Sequence, residues 1–498
     1  MTQIRSSIRS DQRIEFGDWQ TPQSLADEVL DILRAALPSV GSVLEPTCGK
    51  GTFLRAAANK LPGVPLIGYD ISEEHIAVAR GSLPPITRLL VADFFGVGWD
   101  AVLRELPEPL LLVGNPPWVT NAVLGGIEAA NLPRKANFKN LPGLDAITGK
   151  SNFDISEWMI LRLLEAASGR EFVLAMLCKA SVARRVMEHT VARGWHLPGQ
   201  VRTIDARVHF GAAVDAVLLI IVSLGKSCSG YEDVRWQVFD SLNARAPSRH
   251  MGVVDGRAVG DLEGYLATRE LGGKCEIEWR SGIKHDCARV MELDSSGGRF
   301  VNGFGDDVEI EPEYVYPLLK GSDLANGRTD PRRAVVVTQR QLGADTAIIR
   351  VQAPRTWDYL MRYQSQLDSR KSSIYKNQPR FAMFGIGDYS FAPYKVAICG
   401  LYKRLGFTVV EPIRNRPVML DDTCYFLPCE SLEQAREIAG VLSGEMAKSF
   451  FEARVFWDAK RPISKALLQS ISIAALLRQE GSEAEILPPV VEQQELIF

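Results

Sequence analysis

The chain has 498 residues, of which 46% are hydrophobic and 23% charged, with a formal net charge of −3. That length predicts two or three domains with a sizeable core, and the composition is that of an ordinary globular protein. No global basicity announces a polyanion, so a nucleic-acid partner would have to be served by local charge on one face. Eight cysteines are scattered at 48, 178, 228, 275, 287, 399, 424 and 429, with no Cys-x-x-Cys pair and no histidine cluster near them. Reduced thiols and no metal site are therefore expected. The opening stretch MTQIRSSIRSDQRIEF lacks the apolar core of a signal peptide, and the longest apolar run, AVLLIIVSL at 216–224, is too short to span a bilayer. A cytoplasmic protein with no membrane partner is the expectation.

Residues 23–36 follow Thr21-Pro22 with helical apolar spacing at Leu25, Val29, Ile32 and Leu33. Short apolar runs then recur at 40–46, 64–70, 88–94, 110–117, 171–177, 200–206 and 213–224, with helical stretches between most of them, including 73–80, 153–167 and 180–193. Buried strands alternating with helices predict an α/β domain, a doubly wound and mostly parallel sheet covered on both faces. Glu45, Asp70, Asp93 and Asn115 end the first four strands at intervals of 25, 23 and 22 residues, each the length of one βα unit. In such sheets ligands collect beyond the carboxyl ends of the strands. All four polar residues would project from that edge.

Beyond about residue 225 the rhythm is lost in a Gly, Ser and Asp-rich stretch. Residues 318–380 carry 12 Lys and Arg against 5 Asp and Glu, a local basic excess or simply a solvated face. The segment EAEILPPVVEQQELIF has the look of an acidic appendage. The expected division is a catalytic domain over 1–229, a mixed α+β recognition domain over 230–475 and a tail over 476–498.

LEPTCGKGTFL (44–54) sets Gly49 and Gly51 between a strand and a helix, where small residues let a ligand approach the backbone and the helix N-terminus favours a negative group. Asp70 is placed to accept from both hydroxyls of a ribose. Asp93-Phe94 suits an exocyclic amine and the face of a purine. Together they describe an adenosine held across three strand ends, although Asp70 and Asp93 also serve as ordinary strand-end caps. A nicotinamide cofactor would want G-x-G-x-x-G, which is absent, whereas S-adenosylmethionine fits. The fourth strand end, LLLVGNPPWVTN (110–121), stops on two prolines that cannot donate to a ladder. Asn115 and the Pro116 carbonyl can each accept one N–H of a planar amine, turning its lone pair toward an electrophilic methyl, while the diproline fixes the acceptors in advance. Trp118 offers a flat face to a base. No acid, base or metal is needed.

The ordered set WQTP (19–22), LEPTCGKGTFL, GYDI (68–71), ADFF (92–95) and NPPW (115–118) resembles the γ-class amino-methyltransferases of bacterial restriction–modification systems, in the branch specific for adenine N6. The resemblance covers about residues 16–224. It implies a Rossmann-like sheet, S-adenosylmethionine as cofactor, and cofactor contacts from Thr21, Glu45, Thr47, Gly49, Gly51, Asp70, Ile71, Asp93 and Phe94. Asn115, Pro116, Pro117 and Trp118 become the catalytic tetrapeptide. GKSNFD (149–154) looks like the next cofactor-side motif. HFGAAVDAVLL (209–219) looks like the segment whose aromatic, here Phe210, sandwiches a flipped base against Trp118, although a Phe beside an apolar strand is as readily core. Members usually carry Tyr or Phe where this chain has Trp118. The stretch 119–148 is long, either a lid or a surface loop. WRSGIKHDC (279–287) and FGIGDYSFAPYKVAI (384–398) resemble C-terminal parts of long DNA adenine methylases.

The expected function is transfer of a methyl group to adenine N6 in double-stranded DNA, with the base flipped out of the duplex. An RNA base, a protein glutamine amide, or a non-catalytic nucleic-acid-binding role remain as alternatives. No Pro-Asp…Glu-x-Lys constellation is found, so cleavage would fall to a separate cognate restriction endonuclease.

Overall fold

The apolar runs of the first half are strands of one sheet. They are β1 (Ser42–Glu45), β2 (Leu66–Asp70), β3 (Arg88–Val91), β4 (Leu110–Gly114), β5 (Glu171–Lys179), β6 (Gly199–Ile204) and β7 (Ala216–Leu224). The computed structural model describes residues 20–36, 39–118, 154–211, 214–225, 234–295, 297–481 and 487. The intervening helices are α1 (Gln23–Ala36), α2 (Thr52–Lys60), α3 (Glu73–Arg80), α4 (Trp99–Arg104), α5 (Ile155–Ala166), α6 (Ala180–Ala192) and the short α7 (Ala206–Phe210). Three more strands, β8 (Trp236–Phe239), β9 (Arg249–Val254) and β10 (Arg257–Val259), extend the sheet to the order β10-β9-β8-β6-β7-β5-β4-β1-β2-β3.

Strands β3, β2, β1, β4 and β5 run parallel. The sheet is mixed beyond that run: β7 is antiparallel to both β5 and β6, and β9 to both β8 and β10. The central strands β1, β4 and, but for its two ends, β5 are buried on both sides. Leu110 and Leu112 point into one apolar cluster with α5 and α6, while Leu111 and Val113 point into the other with α1 and α2. Alternate side chains therefore serve opposite faces, which is why these strands read as continuous apolar runs rather than alternating ones. Fully burying each such leucine or valine contributes about 1.5–3 kcal/mol.

The chain divides into two units, Met1–Glu263 and Gly264–Phe498. The first thus runs past the boundary expected at 229/230. The reason is Trp236, fully buried on β8, whose ring lies where a Cβ on Gly199 would stand 2.6 Å away and whose Nε1 donates to the Leu197 carbonyl at 2.9 Å. Only a glycine on β6 lets that indole pack against the strand. The supposed tail begins too early as well: helix Ile473–Gln479 buries Ile473, Leu476 and Leu477 in the core of the second unit. The insertion 119–148, the first five residues of GKSNFD and nearly all of 482–498 lie outside the described residues.

The second unit is mixed α+β. One sheet has the order β11-β18-β15-β16, built from Arg280–Ser281, Cys424–Cys429, Tyr394–Cys399 and Thr408–Val410; the other has the order β12-β14-β13-β17, built from Glu292–Asp294, Arg333–Val336, Val315–Leu319 and Met419–Leu420. Its two sequence motifs meet. Lys284 N–H donates to the Phe384 carbonyl at 2.8 Å, and Phe384 N–H returns a bond to Lys284 at 2.9 Å. Two glycines make the junction: a Cβ on Gly282 would stand 2.0 Å from the Asp421 carbonyl oxygen, and one on Gly385, at φ +65°, 2.3 Å from the Gly282 carbonyl oxygen.

Lys395 on β15 is almost fully buried, its ammonium donating to the Ala392 carbonyl at 2.8 Å. Burial pulls its pKa down to about 7. A lysine depressed in the folded state leaves the unfolded chain holding the extra proton between about pH 7 and the ordinary lysine value of 10.5, so its contribution to stability rises with pH across that window. We expect Lys395→Met to raise the urea midpoint at pH 7 and to lose that advantage as pH approaches 10.5. An advantage independent of pH would show that the ammonium is not the source. No helix among the described residues is long and apolar enough to cross a membrane.

Candidate active site

The carboxyl ends of β1, β2 and β4 meet at adjacent strands, so Glu45, Asp70 and Asn115 emerge at one edge because their strands are parallel neighbours. Between β1 and α2 the chain turns through Gly49 at φ +50° and Gly51 at φ +76°. Side chains other than glycine rarely adopt that region. Gly51 has a packing duty too, since a Cβ there would stand 2.9 Å from Leu83 Cδ1. Asp70 holds the turn: its Oδ2 accepts from Gly49 N–H at 2.8 Å and its Oδ1 from Ser72 N–H at 2.9 Å, with His75 Nδ1 at 3.4 Å. The cap expected of a strand-end aspartate is real, and a carboxylate with about four lone-pair sites still has capacity for a ligand hydroxyl.

Inside the turn, Glu45 is 3% exposed. Its Oε2 and the Oγ1 of Thr47 are buried with no hydrogen-bond partner among the described residues. Burial pushes the Glu45 carboxyl well above the usual carboxylate range, against a bond from the Leu54 backbone and with the Asp70 charge adding to the rise. A buried carboxyl oxygen and a buried hydroxyl left without partners are costly unless a ligand pairs with them.

At the third strand end, Asp93 is exposed and caps the short turn Phe94–Gly96 through Phe95 N–H at 3.1 Å. Phe94 does not offer the open ring expected for a purine. It is 4% exposed, its centroid is 4.8 Å from Trp99 and 6.3 Å from Trp158, and its carbonyl accepts from Trp99 Nε1 at 3.0 Å. The apolar side chain left at this edge is Ile71, 47% exposed.

Directly after β4, the Asn115 side-chain N–H donates to Thr21 Oγ1 at 3.3 Å, which turns the oxygen of the carboxamide to the opposite side. Pro116 and Pro117 follow, and Trp118 folds back with its Nε1 donating to the Leu177 carbonyl at 3.2 Å. Phe210, the last residue of α7, reaches Trp118 with ring centroids 5.3 Å apart and planes at 73°. The two expected base-stacking rings are therefore together, but edge to face. A base between them needs two stacking distances of about 3.5 Å each, so the rings must part to admit one. Of the motif GKSNFD only Asp154 is described. It is 2% exposed and its Oδ1 accepts from Ser156 N–H at 3.1 Å, capping α5.

Lys179 escaped the sequence reading. It ends β5, and its Nζ reaches Asp154 Oδ2 at 2.6 Å and the Trp118 carbonyl at 3.1 Å. The criterion that picked out Glu45 and Asp70, a polar residue ending an apolar strand, applies equally to the lysine of EFVLAMLCK.

A parallel run β3-β2-β1-β4-β5 continued by an antiparallel β7 and then β6, with polar groups and a glycine turn at its carboxyl edge, defines a Rossmann-like methyltransferase domain. No protein-family model matches the chain. It is, however, 39% identical over 478 residues to the Type II methyltransferase M.NspV of Nostoc sp., across 94% of this chain and 98% of that protein. The chain belongs to the Type II methyltransferases. A shorter similarity, 28% identity over 118 residues, joins it to the Type II methyltransferase M.CvrRI of Paramecium bursaria Chlorella virus XZ-6E, over 24% of this chain and 28% of that one. The fold is shared with the Type IIL restriction-modification enzyme MmeI, whose structure is in complex with DNA: the TM-score is 0.55 at 13% identity, over 94% of this chain and 66% of that one.

Proposed function

We propose that this restriction–modification methyltransferase transfers a methyl group to N6 of an adenine flipped out of double-stranded DNA. The observation that carries the reading is Asn115, set at the end of β4 and held by Thr21, ahead of a diproline and beside the ring pair Trp118 and Phe210. Bound at the glycine turn, S-adenosylmethionine supplies an electrophilic methyl on sulfur. The new bond joins that methyl to N6, the carbon–sulfur pair leaves with sulfur, and the amine loses one proton to solvent. Asn115 Oδ1 and the Pro116 carbonyl accept the two N–H groups, so the nitrogen lone pair faces the methyl and the charge developing on nitrogen meets fixed dipoles. Trp118 and Phe210 take the base between them. The Gly49–Gly51 turn and Asp70 hold the nucleoside, Ile71 and Asp93 border the purine, and Glu45 with Thr47 receive the amino-acid end. In this reading DNA cleavage falls to a separate cognate endonuclease.

The second unit, Gly264–Phe498, recognises the duplex in this reading. Arg332, Arg350, Arg362, Lys371 and Lys376 stand exposed there and enter none of the ion pairs among the described residues, as suits phosphate contacts that release counterions. The test is to map modified bases at single-base resolution in DNA from a methylation-free host expressing the chain. N6-methyladenine at one short sequence is expected. N4-methylcytosine, or modification confined to RNA, overturns the reading.

The buried Glu45 links cofactor binding to pH. Burial raises the Glu45 pKa while a cationic ammonium favours the ionised carboxylate, so affinity for S-adenosylmethionine should rise with pH through that raised pKa, with proton release on binding. Calorimetry in buffers of different ionisation enthalpy reads that proton directly. Glu45→Gln should abolish the release and weaken binding; release undiminished in Glu45→Gln would place the proton elsewhere.

A further inference from the structure

The diproline that stiffens the catalytic loop also strips it of donors. Past Gly114, which pairs with Met176 in the parallel β4–β5 ladder, Pro116 and Pro117 have no backbone N–H to donate to β5. Something else must hold the loop against its neighbour. The structure supplies two side chains: the Trp118 indole N–H on the Leu177 carbonyl, and the Lys179 ammonium on the Trp118 carbonyl at 3.1 Å. Both come from, or reach, the last three residues of β5. They hold the loop to β5 where the prolines offer no donor.

Lys179 is itself fixed. Its second partner, Asp154, is 2% exposed, and Asp154 Oδ1 is occupied by Ser156 N–H and by Ser156 Oγ at 2.6 Å. The carboxylate sits at the N-terminus of α5, where the helix favours a negative charge. Lys179 is 24% exposed at its side chain, so its pair with Asp154 at 2.6 Å is largely shielded from water. On its other side, Lys179 pairs in register with Ala216, and Ala180 N–H donates to the Asp215 carbonyl at 2.9 Å, which brings the segment that follows Phe210 alongside. One ammonium thus ties together α5, β5 and the Trp118 end of the loop, next to the segment that carries the other ring.

We infer that Lys179 is a positioning residue for the target base: together with Asp154 it fixes the backbone of Trp118, and through it the ring that must part from Phe210 and then close on the base. The inference rests on the reading of NPPW as the methyl-transfer loop. Lys179 touches neither the cofactor turn nor Asn115 in the described hydrogen bonds, so its effect belongs to the base side of the site.

The test uses the full-length chain with Lys179→Met, Lys179→Arg and Asp154→Asn, labelled throughout with 5-fluorotryptophan. The Trp118 resonance is identified by its loss in Trp118→Phe. In Lys179→Met that one fluorine signal should shift or broaden, single-turnover methylation of duplex DNA should slow about tenfold or more, and affinity for S-adenosylmethionine should stay within about twofold. Placing a mismatch opposite the mapped target lowers the cost of extrusion and should recover part of the lost rate. Lys179→Arg, which keeps the cation, should recover more than Asp154→Asn. A Trp118 signal and a rate both unchanged in Lys179→Met would overturn the inference, as would a loss of cofactor affinity equal to the loss of rate, which marks a general structural role. Should the parent chain methylate no DNA adenine, the functional reading falls, while the fluorine spectra still decide whether Lys179 positions Trp118.

Discussion

Asn115→Ala should slow single-turnover methyl transfer by about 10²–10³-fold, the usual loss when one preorganised acceptor or donor is taken from a developing charge. Affinity for S-adenosylmethionine should fall far less than the rate, because Asn115 lies outside the Gly49–Gly51 turn and meets the cofactor side only through its bond to Thr21. The loss has two parts. An exocyclic amine conjugated into a purine has its lone pair in the ring system, and the acceptor pair must draw it out. The same acceptor also orients the amine, so its removal costs alignment as well as stabilisation. Trp118→Ala should differ in kind. It removes a stacking face worth about 1–3 kcal/mol and the Leu177 tether, so retention of the extruded base should weaken along with turnover. Trp118→Phe, which keeps a face but not the N–H, should lie between. Rapid-quench methylation with radiolabelled cofactor, paired with calorimetry, separates these outcomes. Near-normal single-turnover rates in Asn115→Ala would sink the proposed chemistry whatever the DNA site proves to be.

Gly282→Ala should be the most damaging conservative change in the second unit. The new methyl would stand 2.0 Å from the Asp421 carbonyl oxygen and 2.4 Å from that of Leu420. Neither can yield, since the Leu420 carbonyl accepts from Ile283 N–H at 2.7 Å and the Asp421 carbonyl from Cys424 N–H at 3.0 Å. Ordinary overpacking costs about 1–3 kcal/mol, because side chains move aside; here only backbone is available to move, and the cost should exceed that range. Methylation of DNA should fail while the first unit still binds cofactor. Gly297→Ala, with open space around it, is the matched control and should leave the denaturation midpoint near that of the parent. Equal midpoints for the two variants would mean that the close approach at Gly282 is not a real constraint.

How far the molecule could be read in advance depended on the range of the interactions that decide each feature. The seven strands of the first half and helices such as Gln23–Ala36 and Ala180–Ala192 were legible because both periodicity and strand-end polarity are written locally. Parallel neighbours follow from right-handed crossovers, and so the gathering of Glu45, Asp70 and Asn115 at one edge followed too. The ordered motifs carried the resemblance that identity to M.NspV later placed in the Type II methyltransferases. By contrast, the run VRWQVFDS reads as strand-like, but that its strand β8 (Trp236–Phe239) joins the first sheet could not be read, because its place is set by Gly199 on a strand almost 40 residues earlier rather than by its own pattern.

The sequence by itself determined the α/β class, the carboxyl-edge site, the glycine turn and the candidate acceptor Asn115. It did so because backbone donors, fixed φ angles and alternating burial are properties of a few adjacent residues. Only the tertiary structure decided which aromatic rings pack together. Phe94 and Phe210 look alike as letters, yet Phe94 packs on Trp99 while Phe210 meets Trp118. Only the tertiary structure, too, joined Lys179 to Trp118 across 61 positions, since a side-chain bond over that separation leaves no periodic trace in the chain.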